Sequence, residues 1–197
     1  MSGAPPAATG NRTADDDETR TLRGIARRLT TGVAVLTVLH DGVAHGATVS
    51  ATSVISQRPL TLCASLRRGS LLATLARDGG QFTVNVLSSR QALVADWFAN
   101  PHRPSGLRQF DLVEWERDTG TGALMLRHTL AHLSCRITDH LIIGDDDELL
   151  VAEVVTGRVG VGSPLVNFNG QLHGADFHDV ARRRSWQTAG AVAASLD

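Results

Sequence analysis

Four hydroxyl side chains fall within the six residues Thr48-Val49-Ser50-Ala51-Thr52-Ser53, in a stretch that reads as a β-strand. A strand alternates its faces with period two, which puts Thr48, Ser50 and Thr52 on one side and Ser53 on the other. Such a row can line a polar ligand groove or hydrogen-bond a phosphate. It can equally be the solvated side of a half-buried strand. A second group follows in Ser65-Leu66-Arg67-Arg68-Gly69-Ser70, with two Arg, a Gly and a Ser placed to cap a helix. Helix N-termini offer free N–H groups and Arg offers a forked donor, so this segment suits an anion. Consecutive strands commonly pair, and the two groups are expected side by side. The third group is Asp145-Asp146-Asp147-Glu148, four consecutive acids between apolar runs. A solvated turn between two strands is one reading of it.

Other chemistries lack their patterns. Of the eight histidines, His128 and His132 are four apart, but on a strand that spacing leaves them roughly 13 Å apart. There is no HExxH, no GxSxG, no GxGxxG after a strand and no Walker loop, so metal, Ser-nucleophile, Rossmann and P-loop sites are not expected. Cys63 and Cys135 stand in apolar runs without a CxxC spacing and read as buried free thiols in a reduced, cytoplasmic setting.

The elements that must position these groups are mostly strands. A helix is expected from near Glu18 to Thr31-Gly32, with Leu22, Ile25, Ala26 and Leu29 on its buried stripe. Strands are expected at 33–40 and 43–56, joined by the hairpin signal Asp41-Gly42, and again at 60–66. Ser70 starts a short helix that Gly79-Gly80 stops, 81–87 is a strand, and 89–99 is a second short helix. Residues 100–121 read as a long functional loop anchored by Phe110 and Trp115. Long strands at 123–144 and 148–160 flank the acidic run, and 164–170 is the last strand. Many short strands with few helices predict a β-barrel with helical decoration.

Bulk properties agree with one such domain. The chain has 197 residues, 42% hydrophobic content and a net charge of −1, which excludes a broad nucleic-acid footprint. All 19 cations are Arg, so any anion held by a basic side chain other than His is held by Arg. No apolar run approaches the ~20 residues of a membrane span, and the first residues lack the apolar core of a secretory signal. Residues 1–17 are expected to form a disordered leader, 18–176 the domain and 177–197 a tail.

The order of these segments resembles the flavin reductase-like, FMN-binding split-barrel family, and within it the short-chain reductase components of two-component flavin monooxygenases. The matching pieces run from about Leu22 to Gly174. They are Leu29–Val38, Gly46–Leu60, Ser65–Leu75, Phe82–Leu87, Trp97–Trp115, Gly122–Cys135 and Pro164–Leu172. The resemblance implies a split β-barrel homodimer that transfers hydride from NADH or NADPH to FMN or FAD. The reduced flavin would diffuse to a partner oxygenase. Flavin contacts would come from Thr48, Ser50, Ala51, Thr52 and Ser53, from Ser65, Arg67, Arg68 and Ser70, and from Asn85 and Phe110. The apolar runs 123–137 and 148–159 are expected to cover the second copy.

Two departures stand out. Relatives usually show Gly-Asp-His at the turn before the penultimate long strand, where the His is thought to meet the nicotinamide. Here that column falls on Asp147 counting back from Glu153-Val154, or on Asp146 counting forward from Gly144-Asp145. An ionised carboxylate offers no donor and repels dinucleotide phosphates. The closing strand, often aromatic and basic in relatives, carries Asn167, Asn169 and His173, of which His173 is a candidate substitute. The missing histidine leaves two other readings open: a divergent flavin enzyme acting on a small molecule, and a non-catalytic flavin-binding protein.

Overall fold

The structure, a computed structural model, describes residues 11–118, 122–175 and 177. Strand alternation accounts for how its core divides. Ala34, Leu36 and Val38 enter one buried cluster, while Val33 and Val35, which alternate with them, enter a second. A strand covered on both faces needs a continuous apolar run, and residues 33–38 supply one.

The elements run α1 (Asn11–Ala26), β1 (Thr31–Gly32), β2 (Ala34–His40), β3 (Val43–Val49), β4 (Thr52–Gln57), β5 (Leu60–Arg67), α2 (Leu71–Gly79) and β6 (Gln81–Val86). After a 3-10 turn come α3 (Ala92–Ala99), a second 3-10 turn (Gly106–Phe110), β7 (Trp115–Arg117), β8 (Leu124–Leu126), β9 (Ala131–Ile143), β10 (Asp147–Val159), β11 (Leu165–Phe168) and β12 (Gln171–Gly174). Asp41 and Gly42 have φ of 47° and 77°, the two positive values that a two-residue hairpin of primed type needs. Ser70 caps α2 by accepting the Ala73 N–H at 3.3 Å, and Gly80 ends it in the left-handed region at φ 67°.

Seven strands form one antiparallel sheet in the order β3-β2-β6-β9-β10-β5-β4. Its edge strands, β3 and β4, are consecutive in the chain with only Ser50 and Ala51 between them. In a flat sheet those edges would stand roughly 29 Å apart at about 4.8 Å per strand. A two-residue link spans about 11 Å at most. The sheet therefore curls until its edges meet at this corner, where Ser65 N–H donates to the Ala51 carbonyl at 2.9 Å. The result is a barrel split between β3 and β4. Leu72, Ala73 and Ala76 of α2 fill its interior with Leu36, Phe82 and Leu150. On the outside, Ala95 and Phe98 of α3 pack with Val35, Phe110 and Leu126.

Gln109 protects the free edge of β3. It accepts the Gly46 N–H at 2.9 Å and donates to the Ala44 carbonyl at 3.0 Å, as a neighbouring strand would. Gly46 has no room for a side chain, since a Cβ there would lie 2.8 Å from Phe98 Cε1. The remaining strands form a three-stranded sheet, β1-β11-β12, and the β7-β8 pair.

Several boundaries differ from the sequence expectation. The first helix begins at Asn11 and ends at Ala26, and its stripe residues Leu22 and Ile25 are 57% and 63% exposed. The expected strand 43–56 breaks at Ser50-Ala51, and 123–144 breaks near His128, whose φ is 64°. The long loop holds a 3-10 turn and β7, with Phe110 buried as the expected anchor. Residues 1–10 of the expected leader and 178–197 of the expected tail lie outside the described residues. Among the described residues no helix is long and apolar enough to cross a membrane.

Candidate functional site

The corner where β3 gives way to β4 opens into a groove of about 420 Å³. Thr48, Ser50 and Ala51 line it from the end of β3, and Ser65 and Arg67 line it from β5. Ser70 at the start of α2 and Asp147 at the start of β10 complete this set. The pairing of β5 with β10 sets Arg67 opposite Asp147. The split in the barrel thus gathers the hydroxyl strand, the Arg turn and the acidic run at one place.

The members do different work. Thr48 Oγ1 donates to the Ala95 carbonyl at 2.6 Å, which ties β3 to α3. The Ala51 carbonyl is taken by Ser65 N–H, and Ser70 Oγ accepts the Ala73 N–H, which leaves its own O–H free to donate. Every backbone N–H from Arg68 to Ser70 is also spent: Arg68 donates to the Asp146 carbonyl at 2.8 Å, Gly69 to Glu148 Oε1 at 3.0 Å and Ser70 to the Arg67 carbonyl at 3.1 Å. The side-chain donors in the groove are the exposed Arg67 guanidinium and the Ser50, Ser65 and Ser70 hydroxyls, with the first-turn amides of α2 beside them.

Other predicted residues lie elsewhere. Thr52 and Ser53 pair with Ala64 and Cys63 beyond the groove, because the break at Ser50-Ala51 interrupts the alternation. Arg68, also exposed, is not part of the groove lining. Asn85 is outside the groove lining. It is fully buried, donates to the Val35 carbonyl at 3.0 Å and to Thr37 Oγ1 at 3.1 Å, and accepts the Leu126 N–H at 2.8 Å. Phe110, 1% exposed, belongs to the outer core, with its ring 5.2 Å from Phe98 and 6.4 Å from Trp115. His173 lies on β12 with its ring 6.3 Å from Phe168, away from the groove lining.

The acidic run divides. Asp145 and Asp146 form the solvated turn, Asp147 faces the groove, and Glu148 is fully buried. Of the two positions that could stand for the missing histidine, Asp147 is the one in the groove. Glu148 was legible as a possibility: a strand starting at Asp147 puts it on the same face as Leu150 and Ala152, both fully buried.

Sequence reasoning also passed over His45, which lines the groove from β3. Its pKa is pushed down to about 4, first by burial and then by the Arg103 guanidinium. Arg103 Nη2 lies 3.3 Å from His45 Nε2, and a guanidinium only donates. Nε2 therefore accepts, and Nδ1 carries the proton of a neutral ring. That Nδ1 is buried without a partner. No sequence motif marks His45; the contact depends on Arg103 reaching back from the 100–114 loop.

A larger open cleft of about 1060 Å³ lies among Arg90, Glu114, Arg127, His128, His132 and Arg158. None of the predicted ligand residues lines it, and its Arg127 and Arg158 are both engaged by Glu116, whose carboxyl their hydrogen bonds hold below the usual range, Arg158 first. No group of three or more His, Cys, Asp or Glu among the described residues could hold a metal ion. Cys63 and Cys135 are both free, and burial pushes the Cys135 thiol up to about 12, far from reactive. The groove at the split, with a cation and hydroxyls, suits the polyol and phosphate of a flavin nucleotide.

Comparison with known proteins agrees with this geometry. Residues 26–176 match the family described as flavin reductase like domain. The chain is 56% identical over 176 residues to an NADPH-flavin oxidoreductase from Streptomyces viridifaciens, covering 89% of this chain and 91% of that one. It is 35% identical over 171 residues, 85% of each chain, to the reductase component of a 4-nitrophenol 4-monooxygenase/4-nitrocatechol 2-monooxygenase from Rhodococcus opacus. Among solved structures, the flavin reductase component of a bacterial two-component tryptophan halogenase superposes with a TM-score of 0.75 at 30% identity, over 81% of this chain and 99% of that one. The chain belongs to the flavin reductase-like family, and its barrel is that family's split barrel.

Proposed function

We propose that this chain is an NAD(P)H:flavin oxidoreductase that supplies reduced FMN or FAD to a separate oxygenase. The observation that carries the reading is the groove at the barrel split, where Arg67, Ser50 and Ser65 present free donors in a chain 56% identical to a flavin oxidoreductase. Names of relatives support the partner class, since one is the reductase component of a monooxygenase and another that of a two-component halogenase. When bound, the flavin supplies the ring that accepts hydride. The protein's part is to hold and orient: Arg67 engages the phosphate, and the Ser50 and Ser65 hydroxyls meet the polyol. Positioning of this kind removes the entropic cost of bringing donor and acceptor together. The Streptomyces relative's name supports NADPH as the hydride donor here. Anaerobic addition of NADPH, then NADH, to the flavin-loaded protein tests the reading: saturable bleaching of the flavin bands is expected, and bound flavin that neither donor bleaches would refute it.

A homodimer accompanies this reading. Within one copy, β8 is buried, so the runs at 123–126 do not face a partner as the sequence suggested. The apolar surface left open is instead on α1 (Leu22, Ile25), on the edge strand β4 (Val54, Ile55) and at the β9–β10 tip (Leu141, Ile142). Uncovered apolar area of this extent favours a second copy. Light scattering should give twice the 20.9 kDa chain mass, and a monomer at micromolar concentration would exclude the dimer. The free buried thiol of Cys135 fits a reducing cytoplasm.

A further inference from the structure

We infer that Glu148 is a positioning residue for phosphate recognition, pinning from beneath the turn that carries Arg67 into the groove; this rests on the flavin reading above. Its carboxylate is fully buried, an expensive placement unless something needs it there. Oε1 accepts the N–H of Gly69, which stands at φ 68° in the left-handed region. An amide turned that way has no strand or helix partner, and a buried N–H without an acceptor is strongly disfavoured. Glu148 is that acceptor. Oε2 makes no hydrogen bond and lies between the Arg77 guanidinium and the His140 ring, 3.5 Å from Arg77 Nε on α2 and 3.6 Å from His140 Nε2 on β9.

One side chain of β10 thus joins the β5–α2 turn to α2 and β9. The neighbouring contacts tighten the same clamp. Arg68 N–H reaches the Asp146 carbonyl, and Ser70 N–H closes on the Arg67 carbonyl. The backbone from 67 to 70 therefore has one arrangement, and Arg67 leaves it toward the groove. Since the amides are spent inside the turn, phosphate affinity depends on where Arg67 and Ser70 are held. A residue that serves the phosphate and not the rest of the flavin should separate FMN from riboflavin, which shares the ring and polyol but has no phosphate.

The test is equilibrium binding of FMN and of riboflavin to the full chain and to the variants E148L and E148Q. The parent should prefer FMN. In E148L the FMN affinity should fall at least about tenfold, as expected on losing a charge-assisted contact, while riboflavin stays within about twofold. E148Q keeps an oxygen that can accept the Gly69 N–H and should keep FMN within about threefold of the parent. If E148L does not fold, E148D is read in its place, because it keeps the charge but draws the carboxylate back by one methylene. A folded E148L or E148D that retains the parent's FMN-to-riboflavin ratio overturns the inference alone. A parent that binds both flavins equally overturns the phosphate reading and this inference with it.

Discussion

Replacing Arg67 by Ala tests the anion groove at its one exposed cation. Arg67 ends β5, lines the groove and stands opposite Asp147 in the β5–β10 register. A hydrogen bond between a guanidinium and a phosphate contributes about 1.5–3 kcal/mol in partly buried settings. Here the side chain is exposed, which places the effect at or just below the low end. A loss of ~1.4 kcal/mol raises the Kd for FMN about tenfold. Arg68→Ala is the matched control: its side chain is outside the groove lining and its bond to Asp146 is made by the backbone, which Ala retains. Titration of the protein into FMN, followed by flavin fluorescence, measures both, and Arg67→Ala should also flatten the dependence of Kd on salt. Equal Kd values for the parent and Arg67→Ala, with Arg68→Ala the weaker binder, would refute the assignment of the phosphate to this face of the turn.

Asp147→His removes a carboxylate from the groove and adds a donor, so kcat/KM for NAD(P)H-driven flavin reduction should rise about tenfold, or ~1.4 kcal/mol. Asp146→His, in the solvated turn, should stay within about twofold in the same steady-state assay. Asn85→Ala leaves the Leu126 N–H without its acceptor and should cost about 2–4 kcal/mol, a fall of roughly 5–15 °C in Tm by calorimetry. Its FMN affinity at low temperature should not change, because Asn85 touches no groove residue. The pH dependence follows from His45. With its pKa pushed down to about 4 in the folded chain, the unfolded chain binds a proton there that the folded one does not between pH 6.5 and 4, so stability falls as pH drops through that window. The half-exposed ring limits the effect to about 1–2 kcal/mol, and His45→Gln should remove that part of the slope in urea melts at a series of pH values.

Local signals carried much of the fold. Asp41-Gly42 marked the β2–β3 hairpin because a primed turn needs positive φ at two positions. Ser70 and Gly79-Gly80 bracketed α2 through its caps. Period-two patterning identified β5 and β6, and the pairing of the hydroxyl strand with the Arg-bearing strand followed from their adjacency. What escaped depends on contacts distant in sequence. The break at Ser50-Ala51 exists because the barrel must close there, and nothing within 43–56 announces it. Asn85 reads as a polar residue on a strand near the site, yet three partners from β2 and β8 make it a core residue. Phe110 reads as a loop aromatic near a ligand, yet it fills the space between α3 and β3. The acidic run reads as one solvated turn, but strand alternation after Asp147 carries Glu148 into the interior.

The central claim is that the flavin phosphate is held at the barrel split by Arg67. A crystal structure of the protein with FMN tests it most directly, because the groove at the split and the larger cleft among the described residues differ in chemistry. The account predicts phosphate density within hydrogen-bond distance of the Arg67 guanidinium, next to Ser70. Density for the phosphate in the larger cleft, among Arg127, His128 and Arg158, would contradict it.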